Sequence, residues 1–278
     1  MFSRSRFSRL LPDEAASAAH IELVGCGGVG SWTLALLRRM GLLRYELIDR
    51  DHVDGNNLAT QAFVGTDEGQ SKVDAAMGII RAVGRATRVD TIQTDITEPS
   101  WNPSQLANVR IVAVDNMEAR RLYFAKLARQ GGSLQPCLYV DPRMSFEYFE
   151  GWFLNLPQEH SLAGYSEYLN DASRKYIEEP CGARAIAYTG AFAASCIASV
   201  IRRYLIGVPF PFCVRGDVGG FTVSTSWRDG EEYHDELGTL TEGDPDENEQ
   251  RSTQENPTQD RDVDAASAVG SVDDATQR

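Results

Sequence analysis

Apolar positions along the chain fall into short runs that alternate between strand and helix periods. HIELV (20–24) reads as a first strand and residues 30–40 as a first helix. YELIDRD (45–51) is apolar until two acids end it, as a second strand would be. DEGQSKVDAAMGIIRAVGR (67–85) places Val73, Ala76, Met77, Ile80 and Val83 on one helical face. RVDTIQTD (88–95) predicts a third strand. VRIVAVDN (109–116) predicts a fourth, nearly all apolar, which suits a strand covered on both faces. EARRLYFAKLARQ (118–130) follows as a helix and CLYVDPRM (137–144) as a fifth strand. FEYFEGWFLNL (146–156) alternates aromatics and reads as antiparallel, residues 160–180 are polar and partly helical, and residues 184–206 form a long apolar helix. Two strand-like runs around Gly219 and Gly220 predict a hairpin over 212–227. No internal repeat is visible. Strands alternating with helices predict an α/β fold: a doubly wound, Rossmann-like, mostly parallel sheet with right-handed crossovers, and an antiparallel extension in the second half.

Charge changes this picture only at one end. The 278 residues carry a net charge of −13, and residues 229–278, with 16 acidic and 3 basic side chains, account for all of it. Few aliphatic residues lie there, so that stretch lacks the apolar surface to offset the entropy of ordering and is expected to be a disordered tail. The expected division is an N-terminal arm (1–19), one working domain (20–228) and the acidic tail (229–278). The working domain is neutral overall, and the acidic tail argues against nonspecific nucleic-acid binding because it would repel phosphates. Five cysteines at irregular spacing, with no CxxC pair, argue against a disulfide framework and a four-cysteine zinc site. MFSRSRFSRLL lacks the apolar core of a signal peptide. The uncharged run at 185–201 is short for a membrane span and rich in small residues, so a closely packed buried helix and a cytoplasmic protein are expected.

Chemistry enters at GCGGVG. Gly25, Gly27 and Gly30 stand at GxGxxG spacing between a strand and a helix. The first glycine allows a tight turn, the second close approach of a phosphate, and the third close helix packing. Gly28 belongs to the same phosphate-facing loop. The helix start offers unpaired N–H groups to an anion. Asp49, at the tip of the second strand, is placed to accept hydrogen bonds from ribose hydroxyls. All this serves NAD and ATP equally. Lys72 at the start of the next helix and Asp115 at the end of the fourth strand favour ATP. A lysine neutralises phosphate charge and an aspartate holds Mg²⁺, and hydride transfer needs neither.

With these residues in order the chain resembles the ThiF/MoeB/HesA adenylyltransferases, relatives of the ubiquitin-activating enzymes. The resemblance rests on GCGGVG, then Asp49, Asp51, Val53, Asn57, Leu58 and Gln61, then Gly69 and Lys72, then Asp115, Asn116 and Arg120. It implies ATP with Asp49 on the ribose, Asn57 and Lys72 on the phosphates, Asp115 holding magnesium and Asn116 near the nucleotide. Asp51 and Gln61 complete the binding loop. The implied reaction joins a carboxylate to MgATP, giving an acyl-adenylate and pyrophosphate. The implied partners are a small ubiquitin-like or sulfur-carrier protein, or a peptide, with tRNA-linked carboxylates known among relatives, and a homodimer is implied. A nucleotide-binding partner that has lost chemistry, or an NAD-dependent oxidoreductase, stands as the alternative.

Three departures qualify the resemblance. Thr60 stands where the family writes an arginine, so its charge must come from elsewhere, with Arg120, Arg121 and Arg143 as candidates. The family's zinc-binding CxxC pairs are missing. RFSR (6–9) is a faint echo of an arginine motif lent to a partner subunit, which makes Arg9 either a finger in trans or an ordinary basic end. Cys181 precedes the long apolar helix with Arg184 nearby and Glu178 and Glu179 opposing, so it is either a nucleophile that captures the acyl group or a structural thiol. Cys26, Cys137 and Cys196 read as structural, and His52 and His160 as loop residues.

Overall fold

The computed structural model describes residues 7–84, 88–170 and 186–228. The expectations for Cys181 and for the acidic tail fall outside the described residues. Five parallel strands, β1 (His20–Val24), β2 (Arg44–Ile48), β3 (Arg88–Ile92), β4 (Val109–Val112) and β5 (Cys137–Ser145), continue into three antiparallel ones, β6 (Tyr148–Leu156), β7 (Cys213–Asp217) and β8 (Thr222–Ser226). They form one sheet in the order β3-β2-β1-β4-β5-β6-β7-β8. The order reverses between β1 and β4, and a crevice opens at such a switch point, outside the carboxyl ends of the strands.

Helices α2 (Gly30–Arg39), α3 (Lys72–Val83) and α6 (Ala187–Leu205) cover one face; α4 (Met117–Ala128) and α5 (Glu159–Asn170) cover the other. Successive strand residues serve opposite cores. Leu23, Leu47 and Ile111 pack with Leu34, Val73, Ile80 and Ile197 on the first face. Val24, Ile48 and Val112 pack with Tyr123, Phe124 and Tyr165 on the second. Burying each such side chain contributes about 1.5–3 kcal/mol. Within the first nineteen residues, helix α1 (Asp13–Ala18) and Leu11 join the first core, and Arg202 Nε of α6 donates to Leu10 O at 2.7 Å.

Small residues let α6 approach closely. A Cβ on Gly190 would lie 2.4 Å from the carbonyl oxygen of Gly28, so α6 rests directly on the glycine loop. Among the described residues no helix is long and apolar enough to cross a membrane.

Several boundaries differ from the sequence expectation. β2 stops at Ile48 and β4 at Val112, before their acids, because the chain there leaves the ladder to build the crevice rim. Helix α3 starts at Lys72 as expected, but the helical spacing read over 67–85 does not extend before it: Gly65–Asp67 make a short 3-10 turn, Gly69 takes φ +84°, and Ser71 then caps the helix by accepting from Asp74 N. The strand read as apolar at 20–24 also buries a charge. Glu22 Oε2 accepts from Arg110 Nη1 at 2.6 Å and from Tyr123 OH at 2.5 Å, and its Oε1 accepts from Ser104 N at 2.9 Å.

Candidate nucleotide site

The glycine loop is fixed by its own backbone. Gly25 takes φ +90°, and a Cβ there would lie 2.5 Å from Ala113 O, so the loops after β1 and β4 touch. A Cβ on Gly30 would meet Gly25 O at 1.9 Å. Gly27 differs: a Cβ there would meet nothing within 4 Å. Open space therefore faces the loop at the start of α2, where unpaired N–H groups favour an anion.

Asp49 closes this loop from the β2 tip. Its Oδ2 accepts from Cys26 N at 2.7 Å and its Oδ1 from Asp51 N at 2.9 Å. Burial pushes its carboxyl above the ordinary aspartate range, and the two backbone donors pull it back. The buried Cys26 thiol is pushed up by burial and then by Asp49, which marks it as structural. Lys72 is 8% exposed, and its Nζ reaches Asp51 Oδ2 at 2.9 Å while its N–H donates to Asp51 O at 2.9 Å. Glycine loop, Asp49, Asp51 and Lys72 thus form one connected cluster.

The loop after Asp51 is tied over α2. Ser31 Oγ donates to Gly27 O at 2.7 Å and accepts from Ala62 N at 3.0 Å, and Trp32 Nε1 donates to Thr60 O at 3.1 Å. Asn57 caps its own turn, accepting from Asp54 N at 3.2 Å. Gln61 Oε1 is buried without a hydrogen-bond partner among the described residues. Residues 52–71 contain no lysine or arginine.

On the other side, Asp115 and Asn116 are exposed after β4. Asn116 Oδ1 caps α4 by accepting from Ala119 N at 2.7 Å, so its oxygen is committed to the fold. Arg120, expected to face the phosphates, is buried at 5% exposure and works as a bracket. It donates to Val112 O at 3.0 Å and to Val114 O, and pairs with Asp141. Burial and then the Arg143 charge bring its guanidinium down to about 10. Arg121 donates to Leu169 O at 2.7 Å. Arg143 meets Asp141 at 2.8 Å and Tyr168 OH at 2.9 Å. All three replacements proposed for the charge missing at Thr60 therefore hold structure together. Arg9 is exposed near the chain start, and no crevice residue contacts it in any described interaction.

One residue was missed. Arg50, between the two acids of the β2 tip, pairs with Asp95 at 2.6 Å and lies 3.6 Å from Asp51, and the Asp115 carboxylate also acts on it. In the sequence it lies between Asp49 and Asp51, and no signal set it apart.

The donor set fits a metal that arrives with a nucleotide. Among the described residues no group of three or more acidic, histidine or cysteine side chains could hold an ion. Magnesium, however, is commonly held by one or two carboxylates plus substrate phosphates, and exposed Asp115 suits that.

Residues 7–135 match the model of the ThiF family. Ubiquitin-like modifier-activating enzyme 5 of Bombyx mori is 28% identical over 159 residues, covering 54% of this chain and 37% of that protein. Adenylyltransferase and sulfurtransferase MOCS3 of Mus musculus is 31% identical over 128 residues, covering 42% and 28%. Among solved structures, E. coli MccB with AMPCPP and MccA superposes with a TM-score of 0.58 at 16% identity, over 79% of this chain and 66% of that one. PaaA gives 0.56 at 17% identity, over 77% and 65%. The chain spans about a third of the length of the curated relatives it matches, and the structural likeness concerns the fold. Residues 7–135 of this chain are a ThiF family domain.

Proposed function

We propose that the chain is an ATP-dependent adenylyltransferase. It would form an acyl-adenylate on the terminal carboxylate of a small ubiquitin-like or sulfur-carrier protein, or of a peptide. The observation that carries this is Lys72: a lysine with a buried stem, clamped by a strand-tip acid beside a glycine loop with open space above it. A dinucleotide oxidoreductase has no use for that cation.

Attack of a carboxylate oxygen on the α-phosphorus forms one O–P bond and breaks the bond to the β-phosphate, releasing pyrophosphate. Both reactants are anionic, so acceleration comes from alignment and charge neutralisation. Asp49 would hold the ribose, the backbone at Gly27 and Gly28 would receive phosphate, Asn57 and Gln61 would border it, and Lys72 would share its charge between Asp51 and the phosphates. Magnesium, held by Asp115 and phosphate oxygens, would supply further neutralisation. Transfer of the acyl group to the Cys181 thiolate, with AMP leaving, is the finer step, and it rests on sequence alone.

Thr60 and a loop without cations favour a second reading, a nucleotide-binding partner with weakened chemistry. Pyrophosphate exchange into ATP with candidate carriers separates the two. Exchange that falls 10²–10³-fold in Lys72→Ala, about 2.7–4 kcal/mol, is expected for the enzyme. MgATP binding without exchange would favour the second reading, and stabilisation by NADH without any by MgATP would overturn both. Intact-mass detection of an adduct on Cys181, lost in Cys181→Ser, tests the thiol step.

A further inference from the structure

Successive residues of the β2 tip turn to opposite faces of the sheet. Ile48 faces the α4 core. Asp49 turns the other way, to the glycine loop and its Cys26 N–H. Arg50 turns back to the α4 side, where its guanidinium meets Asp95 at 2.6 Å.

Asp95 is itself held rigidly. Its Oδ1 accepts from Thr97 N at 2.9 Å and Thr97 Oγ1 at 2.7 Å. The segment behind it is strapped to α4, because Lys126 Nζ donates to the carbonyls of Ile96, Glu98 and Trp101 at 3.2, 2.9 and 2.6 Å. Ile96 is buried beside Ile48 and Val112. The guanidinium of Arg50 is thus anchored at one end to a fixed acid, while its side chain remains 60% exposed. Asp115, at the tip of β4, lies within its electrostatic reach.

The ribose position divides the nucleotide. With ribose on Asp49 and phosphates over Gly27 and the start of α2, the base leaves the sugar away from the phosphates. That direction is the α4 side of the strand tips, between the loops after β2, β3 and β4. Arg50 stands on that side, with a planar guanidinium.

We propose that Arg50 is the base plate of the site: its guanidinium plane lies against the face of the adenine ring, and Asp95 is the positioning residue that sets that plane. This rests on the crevice being an ATP site. Asp95 already offsets the charge of Arg50, so the flat, weakly hydrated guanidinium surface supplies the affinity, and a lysine cannot substitute for it.

The test is calorimetric titration of the full chain with AMP and with MgATP, alongside thermal melts to confirm that each variant is folded. Arg50→Ala is expected to weaken AMP and MgATP by the same factor, about tenfold. Arg50→Lys should restore neither, and Asp95→Asn should weaken both by a smaller factor. If Arg50→Ala weakened MgATP alone and Arg50→Lys restored it, Arg50 would be a phosphate contact and the proposal would be overturned. Unchanged titrations in Arg50→Ala, with the wild-type chain binding normally, would also overturn it. A wild-type chain that binds neither nucleotide would instead remove the ATP reading itself, and the base plate with it.

Discussion

Gly27 and Gly30, three residues apart, should respond to alanine in opposite ways. A methyl at Gly30 would press into Gly25 O, a backbone atom that cannot swing aside, so Gly30→Ala should lower the melting temperature sharply. At Gly27 the methyl meets open space, so Gly27→Ala should change stability by no more than about 0.5 kcal/mol. It would nevertheless fill the volume assigned to phosphate, and MgATP titration should show binding lost. Asp49 gives a pH signature. Its pKa is raised by burial, so acidification protonates it earlier than an ordinary aspartate, and the carboxylate that the proposed function places on the ribose is lost at a higher pH than usual. The linked stability runs the other way: the buried charge disfavours folding as pH rises through that same raised pKa. MgATP affinity should fall on acidification with a midpoint above the usual aspartate value, and Asp49→Asn should flatten that dependence. The clustering of the glycine loop, Asp49 and Lys72 was legible because their order along the chain carries the signal. Arg120 was misplaced because a sequence does not show which way the first turn of α4 points, and here it points at Val112 O and Asp141.

Among the elements, β1 and β4 are joined by more than their ladder. Glu22 and Arg110 are each 1% exposed and sit opposite one another in register. Removing one partner leaves the other charged and buried, so Glu22→Gln should cost about 3–5 kcal/mol in urea denaturation, and an apolar replacement of both residues much less. This pair was invisible beforehand: two charges on strands separated by two α-helices and two further strands reveal nothing until the topology is known. Element types were legible almost throughout, because two-residue alternation and helical periodicity reflect which core each residue enters. Their ends were less so. The acids after Ile48 and Val112 looked like strand termini, yet Asp49 lies past the end of β2, where its carboxylate accepts from Cys26 N and Asp51 N. Lys72 was legible as the start of α3, although helical spacing runs back to residue 67; Gly69 at positive φ prevents helix until Ser71.

For the whole molecule, the family match ends at residue 135, just before β5. That boundary does not coincide with a folding unit. Leu138, Val140 and Tyr139 of β5 complete both cores beside β4, and Ala193, Ile197 and Ile201 of α6 seal the first. A fragment of residues 7–135 should therefore show no cooperative unfolding transition by circular dichroism. The α/β alternation made the parallel half readable, and aromatic alternation revealed β6. The seating of α6 against the opposite end of the chain had no local signature. Its Gly190 presses on the carbonyl of Gly28 with no room for a methyl between them. Variants at position 190 should thus mimic glycine-loop lesions and blind the protein to nucleotide, although that helix contributes no side chain to the crevice described above.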